Sequence, residues 1–331
     1  MSLESRDRPE IPGDEAFRRA HIKGTQWEPT YAGALSFMRR KYSRDLPGVD
    51  IAITGIPFDQ ATSHRPGTRF GPEAIRKASA ECAWGPIWPW MFDPFETLAV
   101  VDYGDCYFDW GRKDVVPEVI ERHAAAIIET GAEMITLGGD HFISYPLLKA
   151  HARVHGPLSL VHFDAHRDVE PDDGGRIDHG TMFNYAVRDG VIDAKRSIQI
   201  GIRTTFTGER QYGFTILYAD RVHDMTAADV AAEINRAVAG NKAYLTFDID
   251  CLDPSVAPGT GTPVPGGLSY HQAASIIRKL TDVNFVAMDL VEVSPPYDHA
   301  DITALAAANL IMEYICLRAW QKGARGETLP P

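Results

Sequence analysis

Residues 162–168 read HFDAHRD, so His162, Asp164, His166 and Asp168 fall two apart. Side chains two apart along a strand, or along its run-out into a loop, point the same way. One face therefore gathers two carboxylates and two imidazoles, groups that ligate cations and move protons. The spacing recurs at Asp248 and Asp250 in FDIDCLD (247–253). GGDH (138–141) adds Asp140 and His141, and MDLVEV (288–293) adds Asp289 and Glu292.

Elements must bring these groups together. Short apolar runs at 49–57, 97–105, 133–140, 157–166, 196–203, 214–220, 243–250 and 284–293 read as strands. Several are nearly continuous in apolar and β-branched residues, as buried parallel strands are. Segments 114–131, 226–240, 269–281 and 301–320 have helical spacing, and Asp114, Thr226 and Ser269 stand where N-caps belong. Strand and helix in alternation predict an α/β fold, a three-layer sandwich with a mainly parallel central sheet flanked by helices. Ligands of such sheets bind beyond the carboxyl ends of the strands. Four strands then deliver acids and imidazoles to one edge. Four carboxylates sharing a confined site need compensating charge. Two divalent cations supply it. Mostly oxygen donors favour Mn²⁺ or another octahedral ion over structural zinc. A binuclear site with a bridging water makes hydroxide available near neutral pH, so the expected chemistry is metal-assisted hydrolysis.

Other polar residues have plainer readings. Asp140 and Asp253 suit turns or helix caps. His162 suits a hydrogen-bonded core position, and His123, His151 and His155 read as surface residues of helices. Cys251, between acids that disfavour a thiolate, reads as packing.

The 331-residue chain is 24% charged and 44% hydrophobic, with a formal net charge of −12. That charge disfavours nucleic acid or an anionic membrane as a partner. Cys82, Cys106, Cys251 and Cys316 form no CxxC pair and read as reduced thiols, which with the polar start points to the cytoplasm. No apolar stretch reads as a membrane span of about 20 residues. Residues 1–45, with Trp27, Tyr31 and Phe37, read as an N-terminal arm, and 46–331 as a single catalytic domain.

The motifs GGDH, DAHRD (164–168), DHGTMF (178–183), SIQIGIR (197–203), FDIDCLDPSVAPGTGTPVPGG (247–267) and MDLVEVSPPYD (288–298) cover most of the chain after residue 50. With them the chain resembles the ureohydrolases, the arginases and agmatinases, and looks most like the bacterial agmatinase form. The resemblance implies a sheet sandwiched by helices, two Mn²⁺ per subunit, and hydrolysis of agmatine to urea and putrescine. It implies that His141, Asp164, Asp168 and Asp248 hold one ion. His166, Asp164, Asp248 and Asp250 would hold the other, with Asp164 and Asp248 bridging. His162 would stand outside the ligand set. Glu292 would pair with the guanidinium, bidentately, while His179 and Asp250 would handle protons. A homotrimer or homohexamer is implied, and the aromatic-bearing arm offers contacts for it.

One position departs from the pattern. Agmatinases usually carry a small residue where Arg167 stands. The following loop, 169–180, is where the family reads the far end of the substrate. Asp172 and Asp173, with Glu170 and Asp178, suit the ammonium of agmatine. Arg167 and Arg176 instead suit the carboxylate of 4-guanidinobutyrate or 3-guanidinopropionate. The favoured expectation is that both arginines pair with the loop acids. Two further classes are an amide hydrolase on the same fold, which would lack the paired DxHxD and DxD, and a catalytically silent binding relative, which would lose ligands. Metal content and urea release discriminate both.

Overall fold

The structure, a computed structural model, describes residues 13–172, 174–207 and 211–326. Nine strands form one sheet: β1 (Lys41–Tyr42), β2 (Ile51–Ile56), β3 (Val100–Asp105), β4 (Glu133–Gly138), β5 (Ser159–Phe163), β6 (Ile198–Ile202), β7 (Thr215–Tyr218), β8 (Lys242–Asp248) and β9 (Asn284–Val291). Their order is β1-β3-β2-β4-β9-β8-β5-β6-β7, and every neighbouring pair is parallel. The eight expected strands are all present. The ninth, β1, is two residues long, too short to show a pattern, and pairs with β3 at the sheet edge.

The helices are α1 (Glu15–Arg18), α2 (Gly71–Ser79), α3 (Pro94–Thr97), α4 (Val116–Ile128), α5 (Ser144–His155), α6 (Met182–Arg188), α7 (Ala219–His223), α8 (Ala227–Val238), α9 (Tyr270–Arg278) and α10 (Ile302–Gln321). The strands alternate their side chains between two cores. Ile135, Leu137, Phe163, Leu245, Phe247 and Leu290 pack with α2, α8, α9 and α10. Met134, Leu160, Tyr244, Ala287 and Val291 pack with α4, α5 and α6. Both faces are thus apolar, which is why the strands read as continuous hydrophobic runs.

Caps follow local chemistry. Thr226 with Asp229 and Ser269 with Gln272 form capping boxes on α8 and α9; a good N-cap is typically worth about 1 kcal/mol. Asp114 does not cap α4, whose N-cap is Val115; its carboxylate pairs with Arg112 instead. The first turn of α10 is capped from a distance, by the Asp298 carboxylate accepting Thr303 and Ala304 N–H. By length and composition alone α10 could cross a membrane, but 78% of its apolar window is buried in the protein, as in a core helix.

The described part of segment 1–45 lies on its own chain: Phe37 N–H donates to Asp102 and Met38 N–H to Ser79 Oγ. Phe37 is buried, whereas Trp27 and Tyr31 are exposed.

The order of the strands builds the site. β8 and β9 enter last and fill the gap between β4 and β5. The four strands whose ends carry acids and histidines are thereby adjacent. Register sets Phe163 beside Phe247 and Asp248 beside Val291, so Asp164 and Asp248 leave the sheet side by side.

Candidate metal centre

His141 begins the turn after β4. Its Nδ1 lies 3.1 Å from Asp164 Oδ2, 3.0 Å from Asp168 Oδ2 and 3.2 Å from Asp248 Oδ2. This Nδ1 is buried and has no hydrogen-bond partner. A bare ring nitrogen converging with three carboxylate oxygens is a donor set that could hold a divalent cation. A second group adjoins it. His166 Nδ1 lies 3.3 Å from Asp164 Oδ1 and 3.1 Å from Asp250 Oδ2. Asp164 therefore turns one oxygen to each group, as a bridge must. Asp248 turns Oδ2 to the His141 group, while its Oδ1 accepts the Asp250 N–H at 2.8 Å.

His162 is close enough to count as a ligand, within 4.8 Å of the His141, Asp164 and Asp168 donor atoms. Its hydrogen bonds decide otherwise. Gln199 Nε2 donates to the Arg167 carbonyl, and Gln199 Oε1 accepts from Arg167 Nε, which fixes the amide's orientation. Nε2 also faces His162 Nδ1 at 3.0 Å, so Nδ1 accepts. His162 Nε2 must then carry the proton, which it donates to Asp164 Oδ2 at 2.7 Å. Neither ring nitrogen keeps a lone pair for a cation. His162 orients Asp164, in line with its place outside the ligand set.

The charges demand a cation or protons. Burial, then Asp250 and Asp164, push the Asp248 carboxyl well above its ordinary range. Burial and the neighbouring Asp164 raise Asp168 to about 7. Asp164 moves oppositely: burial raises it, but His162, His141 and His166 hold it well below the usual range. Burial depresses the His141 imidazole, yet the three carboxylates close to its Nδ1, of Asp164, Asp168 and Asp248, carry it well above its ordinary value. A divalent ion would take over the neutralising role that protons otherwise fill. The residues fit such an ion in charge, donor type and convergence.

Glu292 follows β9 in a left-handed conformation, φ 64°, and Asp168 has φ 54°. Such backbones in non-glycine residues cost about 1–3 kcal/mol and cluster at functional sites. Glu292 N–H donates to the Gly139 carbonyl. Gly139 itself has no room for a side chain: a Cβ would stand 2.1 Å from the Phe58 carbonyl oxygen. Glu292 Oε1 accepts the His141 backbone N–H at 2.8 Å and bonds His179 Nδ1 at 2.9 Å. Oε2 is buried without a partner. The expected bidentate clamp is thus narrowed to one open oxygen, because the other already serves two donors.

Two influences compete on His179. Burial lowers its imidazole, but Glu292 and then Asp140 and Asp168 raise it to about 9. Yet Ser63 N–H, which can only donate, bonds Nε2 at 3.0 Å. The Ser63 bond needs a lone pair on Nε2, which sets the ring proton on Nδ1, toward Glu292.

A cavity of about 220 Å³ opens here, lined by Ser63, His166, Arg167, Asp168, Glu170, His179, Gly180, Thr204, Thr205, Phe206, Asp248 and Thr262. Its size suits a small ligand. Asp172 and Arg176 are not among its described lining residues, and Asp173 lies outside the described residues. Asp172 accepts from Gly174 N–H, Arg176 N–H and the Tyr185 hydroxyl, the last chiefly holding it at about 2. Arg176 pairs with Asp178 at 2.8 Å. Both work within the loop, the expected outcome for Arg176. Arg167 is buried, bonds Gln199 and lines the cavity.

Other readings hold or fall by position. Asp140 caps the turn at His141 and also accepts Ala61 N–H. Asp253 accepts from Ser255, Gly266 and Gly267. Cys251 is buried, and burial pushes its thiol well up. His151 is no surface residue: it is 1% exposed on the sheet side of α5, against Tyr244. His123 is half-buried and bonds Thr54 Oγ1. Arg203 had no assigned role; its guanidinium donates to the carbonyls of Asp250, Cys251 and Val264, pinning the Asp250 turn. Thr262 Oγ1 donates to Asp250 Oδ2. The basic end of IQIGIR was the available signal for Arg203.

The Arginase family pattern matches residues 49–316. An agmatinase of Chromobacterium violaceum is 53% identical over 316 residues, 95% of this chain and 98% of that one. The crystal structure of a hypothetical agmatinase from Burkholderia thailandensis superposes with TM-score 0.92 at 52% identity, covering 94% of this chain and 99% of that one. Proclavaminate amidino hydrolase of Streptomyces clavuligerus has TM-score 0.84 at 34% identity, covering 89% and 100%. Its strand order, its acidic strand ends and these likenesses agree: the chain belongs to the arginase family and is an enzyme of the ureohydrolase type.

Proposed function

We propose that this enzyme is a two-manganese agmatinase that hydrolyses agmatine to urea and putrescine. The observation that carries the reading is Glu292 Oε2, a buried carboxylate oxygen without a partner, on the residue that hydrogen-bonds His141 and His179. An unpaired buried charge is costly, and a guanidinium N–H is a fitting donor for it.

In this reading His141, Asp164, Asp168 and Asp248 hold one ion, and His166, Asp164, Asp248 and Asp250 the other. Two such ions supply charge balance and a water activated near neutral pH. The guanidinium carbon is a poor electrophile because three nitrogens share its charge. Glu292 holds it by one N–H, turning a slow encounter into a positioned one. His179, its Nδ1–H held by Glu292, would take up at Nε2 a proton released as water attacks and give it to the departing amine. Asp250, its Oδ2 steadied by Thr262, is the second proton-handling group. Phe206, 52% exposed, lines the same cavity and offers apolar surface for a methylene chain.

Agmatine is favoured because of the Chromobacterium agmatinase at 53% identity. A guanidino acid is the second reading, favoured by buried Arg167 at the cavity. Four free cysteines support a reducing, cytoplasmic compartment, and a trimer or hexamer is the proposed assembly. Urea release from agmatine, with Mn²⁺ and after chelation, tests the reading. Activity indifferent to complete metal removal refutes it.

A further inference from the structure

We propose that Thr246 and Asp289 are positioning residues for the metal centre, a buried relay that holds His141 in the form that presents a bare Nδ1 to Asp164, Asp168 and Asp248. The inference rests on the two-ion reading above and adds to it residues outside the ligand set.

Asp289 lies within β9 and is fully buried. Three hydroxyls donate to its carboxylate: Thr246 Oγ1 at 2.6 Å, Ser144 Oγ at 2.7 Å and Tyr244 OH at 2.8 Å. None of its partners among the described residues is a lysine or arginine. A carboxylate buried with hydroxyl donors alone is costly for stability, so a structural role explains it poorly.

The direction of each bond follows from donor counting. Thr246 alone faces Oδ1, while Ser144 and Tyr244 share Oδ2, so Thr246 spends its single proton on Oδ1 whether or not Oδ2 carries one of its own. Thr246 Oγ1 then has only lone pairs to offer His141 Nε2, which lies 2.8 Å away. Nε2 must carry the ring proton. In the neutral imidazole Nδ1 is therefore bare, and Nδ1 is the atom facing the three aspartates.

The backbone makes the relay rigid. Thr246 on β8 and Asp289 on β9 are direct register partners, so their side chains share one face. Ser144 opens α5, three residues beyond His141. Phe183 lies edge-on to His141, 5.3 Å between centroids, and blocks the ring from swinging away.

Substitutions act with opposite logic. Thr246→Val removes the acceptor and leaves Nε2–H unpaired. Asp289→Leu takes away the acceptor of the Thr246 proton; that proton is then free to turn toward His141 Nε2 and favours the ring proton on Nδ1, where the ion belongs. Thr246→Ser keeps the hydroxyl.

The test is Mn²⁺ titration of the metal-free wild type and the three variants, with bound metal per chain counted by elemental analysis and folding checked by the melting temperature of the metal-free proteins. The wild type should bind two ions. Thr246→Val and Asp289→Leu should each weaken one of the two sites roughly 10–100-fold, and Thr246→Ser should keep it. If Thr246→Val does not fold, Asp289→Leu and Thr246→Ser decide alone. Two ions at wild-type affinity in Asp289→Leu, or a Thr246→Ser as weak as Thr246→Val, overturns the relay and leaves the agmatinase reading standing. A wild type that binds no Mn²⁺ overturns both.

Discussion

Glu292 and His179 meet through Oε1 and Nδ1 at 2.9 Å, and the same Oε1 accepts the His141 backbone N–H. One carboxylate thus ties the proton-handling histidine to the turn that carries a metal ligand, and keeps its second oxygen open.

Glu292→Gln should leave metal content intact and cripple turnover. A hydrogen bond to a charged group is worth about 1.5–3 kcal/mol, so kcat/KM should fall at least roughly ten- to a hundredfold. Steady-state kinetics beside elemental analysis checks this. Wild-type turnover would remove Glu292 from the site.

Asp164→Asn should cost at least one bound ion, because Asp164 turns Oδ2 to His141 and Oδ1 to His166. A neutral amide bridges two cations poorly. A variant that keeps both ions refutes the bridge.

Much of this arrangement was legible before the structure. Eight strands announced themselves because both faces are buried. The acidic strand ends could be placed because a parallel sheet sends all its carboxyl ends to one edge. What stayed hidden depends on which strands are neighbours. Thr246 reads as an ordinary strand threonine until β8 lies against β9 and sets it beside Asp289. His151 looks exposed in SYPLLKAHARVH, since a helical position does not say which side meets the sheet; α5 turns it onto Tyr244. Arg167 and Arg176 look alike in the loop, yet one is buried and the other two-thirds exposed.

His151 makes the fold acid-sensitive. Burial and then His155 lower its imidazole to about 3, and both ring nitrogens lack partners. The unfolded chain takes up this proton below about 6.5 while the folded one refuses it until about 3, so stability falls as pH drops through that window. At pH 5 the loss is roughly 2 kcal/mol. His151→Leu should shrink the drop in urea midpoint between pH 7 and pH 5. Identical drops in both proteins would exclude His151 as the cause.

Arg176→Ala should change the preference among agmatine, arginine and 4-guanidinobutyrate by less than about twofold, since exposed pairs such as Arg176–Asp178 are worth about 0–1 kcal/mol. A reversed preference in kcat/KM would show that Arg176 reads the substrate after all.

The most direct measurement is urea production with Mn²⁺ supplied, comparing kcat/KM for agmatine, arginine and 4-guanidinobutyrate. The account predicts agmatine first, with arginine and guanidinobutyrate handicapped by a carboxylate near Glu170 and the site aspartates. Guanidinobutyrate in first place, with that preference abolished by Arg167→Ala, would contradict it.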